Sequence, residues 1–318
     1  MKRLLICGAT GFIGRNLVNY YSQLPDYQVF GTYNNTIPYE ASGVEFIKVD
    51  LRNKEEVDLV IKDKDIIIQA AATTSGAKDI VNKPYYHVTD NAIMNSLILK
   101  SIFASCCEHL IFLSCTTMYQ HSDIMQSEND FDANKNMIEK YFGVGWTKIY
   151  IEKMCEFYSK ISDTKFTVIR HSNIYGPHDK YDLERSHFFG ATITKVMKAQ
   201  NGSELTVWGQ GTEKRDLLYI SDLVDFINIA IEKQKTKYEI FNVGLGITHS
   251  VNEIVGKIIN SASKQLIIKH DLNQPNIDVN IGIDIRKADR LLNWKPKISV
   301  DVGIEKTIEW YKQNELLK

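Results

Sequence analysis

The seven residues Gly8-Ala9-Thr10-Gly11-Phe12-Ile13-Gly14 constrain this chain more than any others. They follow an apolar run, Leu4-Leu5-Ile6-Cys7, and lead into Ile13–Leu24, where apolar residues recur at helical spacing. Glycines between a strand and a helix permit a tight turn, close approach of backbone to a ligand, and close packing of helix on strand. The helix that begins there turns its free N–H groups and its positive dipole end toward whatever occupies the turn, which suits a phosphate. Glycine spacing alone is weak. Placed between a first strand and a first helix, it predicts dinucleotide binding, with Gly8, Thr10, Gly11, Phe12, Ile13 and Gly14 as the cradle.

The alternation continues downstream. Val29–Tyr33, Glu45–Val49, Asp65–Ala70, Leu110–Ser114 and Phe166–Arg170 read as strands. Lys54–Ile61, Ala92–Ala104 and Thr147–Ile161 read as helices between them. Strand–helix alternation predicts an α/β fold: a doubly wound parallel sheet of Rossmann type, followed by a smaller C-terminal substrate domain. Near Gly176 the alternation stops and loops lengthen, with a turn at Trp208-Gly209-Gln210-Gly211. The expected division is 1–175 for the dinucleotide and 176–318 mainly for substrate, with about 216–245 a candidate to return to the first domain.

With 318 residues and a formal net charge of −1, the chain has no basic surplus to attract nucleic acid or an anionic membrane. The N-terminal apolar run stops at Gly8, and no stretch is long enough to span a bilayer. Cys7, Cys106, Cys107, Cys115 and Cys155 form no Cys-x-x-Cys pair, so reduced thiols and a cytoplasmic location are expected. No metal site is expected, because His171 and His178 are separated by a turn and the cysteines are scattered.

The Gly-x-x-Gly-x-x-Gly spacing resembles the extended short-chain dehydrogenases/reductases of the NAD-dependent epimerase/dehydratase family. That resemblance implies adenine contacts from Asp50-Leu51. Asp65-Ile-Ile-Ile-Gln-Ala-Ala-Ala72 is similar to the family's strand ending in His-Ala-Ala, with Gln69 for His and with Ala70, Ala71 and Ala72 beside the cofactor. After the second strand, Gly31-Thr32-Tyr33-Asn34-Asn35 carries neither an acid for the ribose diol nor an arginine. Absence of the repelling carboxylate favours NADP(H) over NAD(H).

Within the family, residues 148–222 resemble the GDP-L-fucose synthase-like enzymes. The likeness rests on Lys148-Ile-Tyr-Ile-Glu-Lys-Met-Cys-Glu156, Asn173-Ile-Tyr-Gly-Pro-His-Asp179, Arg185-Ser-His187 and Trp208-Gly-Gln-Gly-Thr-Glu-Lys-Arg215. It implies a nucleotide-sugar substrate positioned by Asn173 and Trp208, with Lys195 and Arg215 on the phosphates or base. A near-neutral protein must supply such cations locally. It also implies that His187 moves protons beside a ketone, whose neighbouring carbons are acidified. A homodimer built on helices Ala92–Ala104 and Thr147–Ile161 is a further implication.

The family's Ser/Thr and Tyr-x-x-x-Lys pattern is only partly kept. Lys148 matches the lysine, but Val144 stands where the tyrosine belongs and Cys115 where the Ser/Thr belongs. Thr117 falls on the position of the epimerisation cysteine. Valine cannot give a proton. Tyr141 one helical turn upstream, Cys115, or the hydroxyls of Thr116 and Thr117 are the candidate replacements. No carboxylate follows Cys115, which disfavours dehydration and decarboxylation. The expectation is therefore an NAD(P)-dependent nucleotide-sugar epimerase or 4-keto-reductase with an altered centre of Lys148, Cys115, Thr117, Tyr141 and His187. The alternative is a redox-dead nucleotide-binding sensor or scaffold.

Overall fold

A computed structural model describes residues 1–73, 84–183, 186–274 and 279–316. The first half alternates as expected: β1 (Lys2–Cys7), α1 (Phe12–Tyr21), β2 (Tyr27–Tyr33), β3 (Val44–Lys48), α2 (Lys54–Ile61) and β4 (Ile66–Gln69). It continues through α3 (Thr89–Phe103), β5 (His109–Leu113), α4 (Phe142–Ile161) and β6 (Lys165–His171). Later come β7 (Asn173–Tyr175), α5 (Phe188–Lys198), β8 (Glu204–Trp208), β9 (Lys214–Tyr219), α6 (Ile220–Lys233) and β10 (Tyr238–Val243). The last described elements are β11 (Thr248–Ser250), α7 (Val251–Ser261), β12 (Ile267–Asp271), α8 (Arg286–Leu292) and α9 (Val300–Asn314).

Seven strands form one sheet in the order β10-β6-β5-β4-β1-β2-β3. Every pairing in it is parallel. Such a sheet is covered on both faces, which is why its strands read as nearly unbroken apolar runs. Leu4 and Ile6 of β1 face a core with Leu17 and Val18 of α1 and Leu223 and Ile227 of α6. Leu5 and Cys7 face the opposite core, against Val57 of α2, Ile98 of α3 and Ile151 of α4. The seventh strand, β10, comes from far along the chain and pairs with β6.

Outside that sheet, β11, β9 and β7 form a small three-stranded sheet, and β12 pairs with β8. Trp294, 1% exposed, stacks edge-on against Phe226 of α6 and joins this part to the core of the large sheet. No helix among the described residues is long and apolar enough to cross a membrane. No group of three or more His, Cys, Asp or Glu that could hold a metal occurs among them.

One boundary differs usefully from the sequence reading. Helix α4 starts at Phe142, not Thr147, so that Val144 and Gly145 lie within it. Glycine lowers helix propensity, and Gly143 with Gly145 hid this first turn. Packing reverses the preference. A Cβ on Gly145 would collide with the sulfur of Met137 and sit 3.4 Å from the carbonyl oxygen of Thr117.

Candidate active site

The glycine turn has the shape its sequence demands. Gly8 adopts φ +73°, and a Cβ there would lie 2.7 Å from Cα of Ala71. Its N–H donates to Thr32 Oγ1 at 3.0 Å, and Gly11 N–H donates back to Gly8 O at 3.0 Å. A Cβ on Gly14 would strike the carbonyl oxygen of Gly8, so helix α1 can sit this close only through a glycine. Helix α1 has no side-chain cap at Gly11 and no acid in its first turn. The positive end of its dipole therefore faces the turn uncompensated, which fits the pyrophosphate of a dinucleotide. Ala71 is pressed onto Gly8, and Gln69 fixes the end of β4 by donating to Asn95 Oδ1 and accepting from Ala71 N–H.

Asp50 and Leu51 stand at the edge of this region. Leu51 is buried in the core, and the Asp50 carboxylate is held by Arg52 at 2.8 Å. That hydrogen bond lowers the pKa of Asp50. A residue absent from the sequence reading faces the segment after β2. The guanidinium of Arg15, in the first turn of α1, lies 4.1 Å from the centroid of the Tyr39 ring. Its Nε is buried without a hydrogen-bond partner among the described residues.

Near the C-terminal ends of β5 and β6, Lys148, Cys115, Thr117 and Tyr141 come together, whereas His187 does not line the cleft they border. Lys148 Nζ donates to the Leu113 carbonyl at 2.7 Å and lies 4.9 Å from the Phe112 ring centroid. Burial lowers its pKa, opposed by the charges of Cys115 and Glu152. Cys115 Sγ and Thr117 Oγ1 are 2.9 Å apart. Tyr141 caps the start of α4, and its phenol is raised by burial while the Arg215 charge pulls it down. Val144 is half-buried in the following turn.

A cleft lined by Thr117, Tyr141, Ser172, Asn173, Arg215, Asp216 and Val279 gathers residues from five separate segments. Asn173 anchors itself there by donating from Nδ2 to the Asp216 carbonyl at 3.0 Å. Arg215 donates to the Val279 carbonyl at 2.6 Å and lies 4.0 Å from Glu213. Lys195 and Trp208 form their own pair: the ammonium sits 5.7 Å from the indole centroid and donates to the Thr206 carbonyl. His187 caps α5 and is exposed at its surface. Crowding by protein atoms lowers its pKa, aided by the charges of Lys180 and His87. Arg185, part of the motif that singled out His187, lies outside the described residues, as do residues 74–83.

Two further groups escaped sequence reasoning. Glu152 and Arg170 form a buried ion pair, to which Ser114 and Tyr119 are hydrogen-bonded. Helical spacing from Lys148 puts Glu152 on the same helix face, a signal visible in the sequence. His171 is the last residue of β6, and burial lowers its pKa, with the nearby charges of Lys148 and His187 adding to the effect. Its signal was the strand end itself, where ligands bind in open parallel sheets.

Residues 4–244 match the profile of the NAD dependent epimerase/dehydratase family. The chain is similar to a GDP-L-fucose synthase of Azorhizobium caulinodans, with 28% identity over 98% of this chain and 96% of that one. It is also similar to a GDP-L-colitose synthase of Yersinia pseudotuberculosis, with 24% identity over 97% of each. Among solved structures, the UDP-glucose 4-epimerase of Thermotoga maritima superposes with a TM-score of 0.85 at 22% identity, over 99% of this chain and 100% of that one. The UDP-glucuronic acid 4-epimerase of Bacillus cereus, solved with UDP-glucuronic acid and NAD, gives 0.84 at 24% identity, over 98% and 99%. These structures share the fold.

Proposed function

Since this chain belongs to the NAD dependent epimerase/dehydratase family and is an enzyme of it, we propose that it is an NAD(P)-dependent nucleotide-sugar epimerase or 4-keto-reductase with an altered acid–base centre. Its substrate is a GDP- or other NDP-linked hexose or deoxyhexose. The observation that carries this reading is the meeting of Thr117, Tyr141, Asn173 and Arg215 on one cleft. Cys115, bonded to Thr117, joins that cleft to Lys148.

The roles follow from chemistry. The cradle of Gly8, Thr10, Gly11, Phe12, Ile13 and Gly14 holds the pyrophosphate, beside Ala70, Ala71 and Ala72, with Asp50 and Leu51 toward the adenine. The bound dinucleotide supplies the redox capacity. Lys148 has three N–H donors and uses one on Leu113, which leaves two for the nicotinamide ribose. Tyr141 takes the place of the missing tyrosine and exchanges a proton with the sugar oxygen, supported by Cys115 and Thr117. Proximity of the Arg215 charge eases ionisation of a phenol that burial otherwise opposes. His187 moves the proton on the carbon beside the ketone. Arg215 holds the diphosphate, Asn173 the sugar, and Lys195 with Trp208 the base.

NADP(H) is favoured over NAD(H) because β2 ends without an acid and Arg15 offers a cation in the adjoining turn. Residues 1–175 with 216–245 serve the cofactor, and 176–318 mainly serve the sugar nucleotide. A homodimer is favoured by Ile93 and Phe103 on α3 and Tyr150, Phe157 and Ile161 on α4, all exposed apolar residues on neighbouring helices. Five free cysteines suit a reducing compartment such as the cytoplasm. Val144 is the one observation on the side of a binding-only sensor.

The test is mass spectrometry after incubating the protein with NADPH and GDP-4-keto-6-deoxymannose in heavy water. A reduced sugar establishes hydride transfer, deuterium on carbon establishes proton exchange beside the ketone, and inversion at the labelled carbon establishes epimerisation. A sugar that is bound but chemically unchanged selects the sensor. A sugar that is neither bound nor changed rules out this substrate.

A further inference from the structure

The pairing of β5 with β6 runs through Leu113 beside Ile169. One step on, Ser114 and Arg170 remain neighbours, because Glu152 bridges them: Ser114 Oγ donates to Oε1 at 2.6 Å and Arg170 Nη2 to Oε2 at 2.6 Å. The next residue, His171, ends β6 and so stands at the C-terminal edge of the sheet. Open parallel sheets bind their ligands at that edge. His171 stands there with Lys148 from α4 and His187 from the start of α5 near enough to act on its charge.

The ring of His171 is oriented. Nδ1 lies 2.8 Å from the carbonyl oxygen of Ser172. A carbonyl only accepts, so Nδ1 carries the hydrogen and Nε2 is bare. No other hydrogen bond among the described residues reaches the ring, and the side chain is only half-buried. Burial, with the charges of Lys148 and His187, holds the imidazole at a pKa of about 4. At neutral pH it is therefore an acceptor with no hydrogen-bond partner among the described residues. An acceptor of this kind discriminates among ligands, because a ligand without a matching donor leaves it unsatisfied.

We propose that His171 is a specificity-determining residue of this site, whose Nε2 accepts a hydrogen bond from an N–H or O–H of the bound ligand. The inference rests on the nucleotide-sugar reading above. Several ligand groups offer the required donor: the carboxamide and ribose hydroxyls of the nicotinamide half, and the hydroxyls of the sugar. Diphosphate and keto oxygens offer none.

The experiment uses the full chain with ¹⁵N-labelled histidine, observed at neutral pH through long-range ¹H–¹⁵N correlations. His171→Phe assigns the ring. The expected free state shows Nδ1 protonated and Nε2 bare. NADP⁺ alone, UDP-glucose alone and GDP-mannose alone are then added, with binding followed by calorimetry. Either NADP⁺ or a sugar nucleotide moves the Nε2 resonance toward its hydrogen-bonded value, and the one that does identifies the donor. His171→Phe then binds that probe about tenfold more weakly. His171→Gln, whose amide oxygen still accepts, recovers part of the loss. Unchanged binding of the other probe shows that the variant is folded, and the wild-type resonances need no variant. A protonated Nε2 in the free protein overturns the proposal, as does an Nε2 unmoved by every probe that binds. Failure of all three probes to bind overturns the nucleotide-sugar reading beneath it.

Discussion

Arg170 grips Glu152 with two nitrogens, Nη2 to Oε2 at 2.6 Å and Nε to Oε1 at 3.1 Å, with 4% and 1% of the two residues exposed. Around the pair, Ser114 donates to Glu152, and Arg170 donates to Tyr119 at 3.0 Å and to the Glu128 carbonyl at 3.0 Å. Tyr119 donates onward to Asn242 of β10 at 2.7 Å. One ion pair thus ties three strand ends and helix α4 to the loop that carries Cys115 and Thr117. Breaking one side of a buried pair strands the other charge. Glu152→Gln should cost about 3–5 kcal/mol of stability in urea unfolding. The double variant Glu152→Leu with Arg170→Met should cost less than either single charge removal. Equal losses in single and double variants would mean that packing, not the stranded charge, dominates.

Gly8 is the position where a side chain does most harm to cofactor binding. At φ +73° and 2.7 Å from the Ala71 backbone, a Cβ is both strained and obstructed. Left-handed backbone costs a non-glycine residue about 1–2 kcal/mol before any clash. Gly8→Val should lose NADPH binding by calorimetry while far-UV circular dichroism still reports the fold. Retained affinity would place the dinucleotide elsewhere.

Tyr141 and Val144 make opposite predictions for catalysis. Tyr141→Phe should lower kcat by about 10²–10⁴-fold, the usual worth of a positioned acid or base, with KM little changed. Adding Val144→Tyr to that variant should restore activity, since the side chain enters the helix one turn above Lys148. Full activity in Tyr141→Phe alone would transfer the role to Cys115 or Thr117.

His109 sets an acid limit on stability. Its Nε2 is 2.7 Å from Thr167 Oγ1, and that hydroxyl donates to Gln234 Oε1 at 2.5 Å, so Nε2 carries a hydrogen and donates. Burial lowers its pKa from 6.5 to about 3. Above pH 6.5 neither state binds the proton, and the contribution is complete. As pH falls below 6.5 the unfolded chain takes up a proton that the folded chain refuses. Stability then declines by about 1.4 kcal/mol per pH unit from this group. His109→Gln should reduce the difference in urea-unfolding free energy between pH 7 and pH 5 by about 2 kcal/mol, that slope over the pH interval below 6.5. An unaltered difference would assign the acid sensitivity to another group.

Much of the nucleotide half was legible because its signals are local. Continuous apolar strands announce a sheet covered on both faces, and glycines flanked by a strand and a helix announce a cradle. There the structure moves element ends and adds the short strand β7. Propensity shortens helix α4 because Gly143 and Gly145 oppose helix, whereas close packing on Thr117 and Met137 requires glycine at 145. Val144 was legible as a departure, but its consequence was not, because no spacing rule tells whether Tyr141 reaches the cleft.

By itself the sequence determined the order of strands and helices in the first half, the parallel sheet they must form, the glycine turn between β1 and α1 and the chemical types available at the site. Periodicity, glycine freedom and side-chain chemistry are properties of single residues and near neighbours. Only the tertiary structure decided which of those residues meet. It brought Thr117, Asn173 and Arg215 to one cleft from segments dozens of residues apart. It also oriented His171 through the Ser172 carbonyl and placed Arg15 on Tyr39. Those juxtapositions depend on how strand ends align across the sheet and how loops close over it, and packing between distant segments sets both.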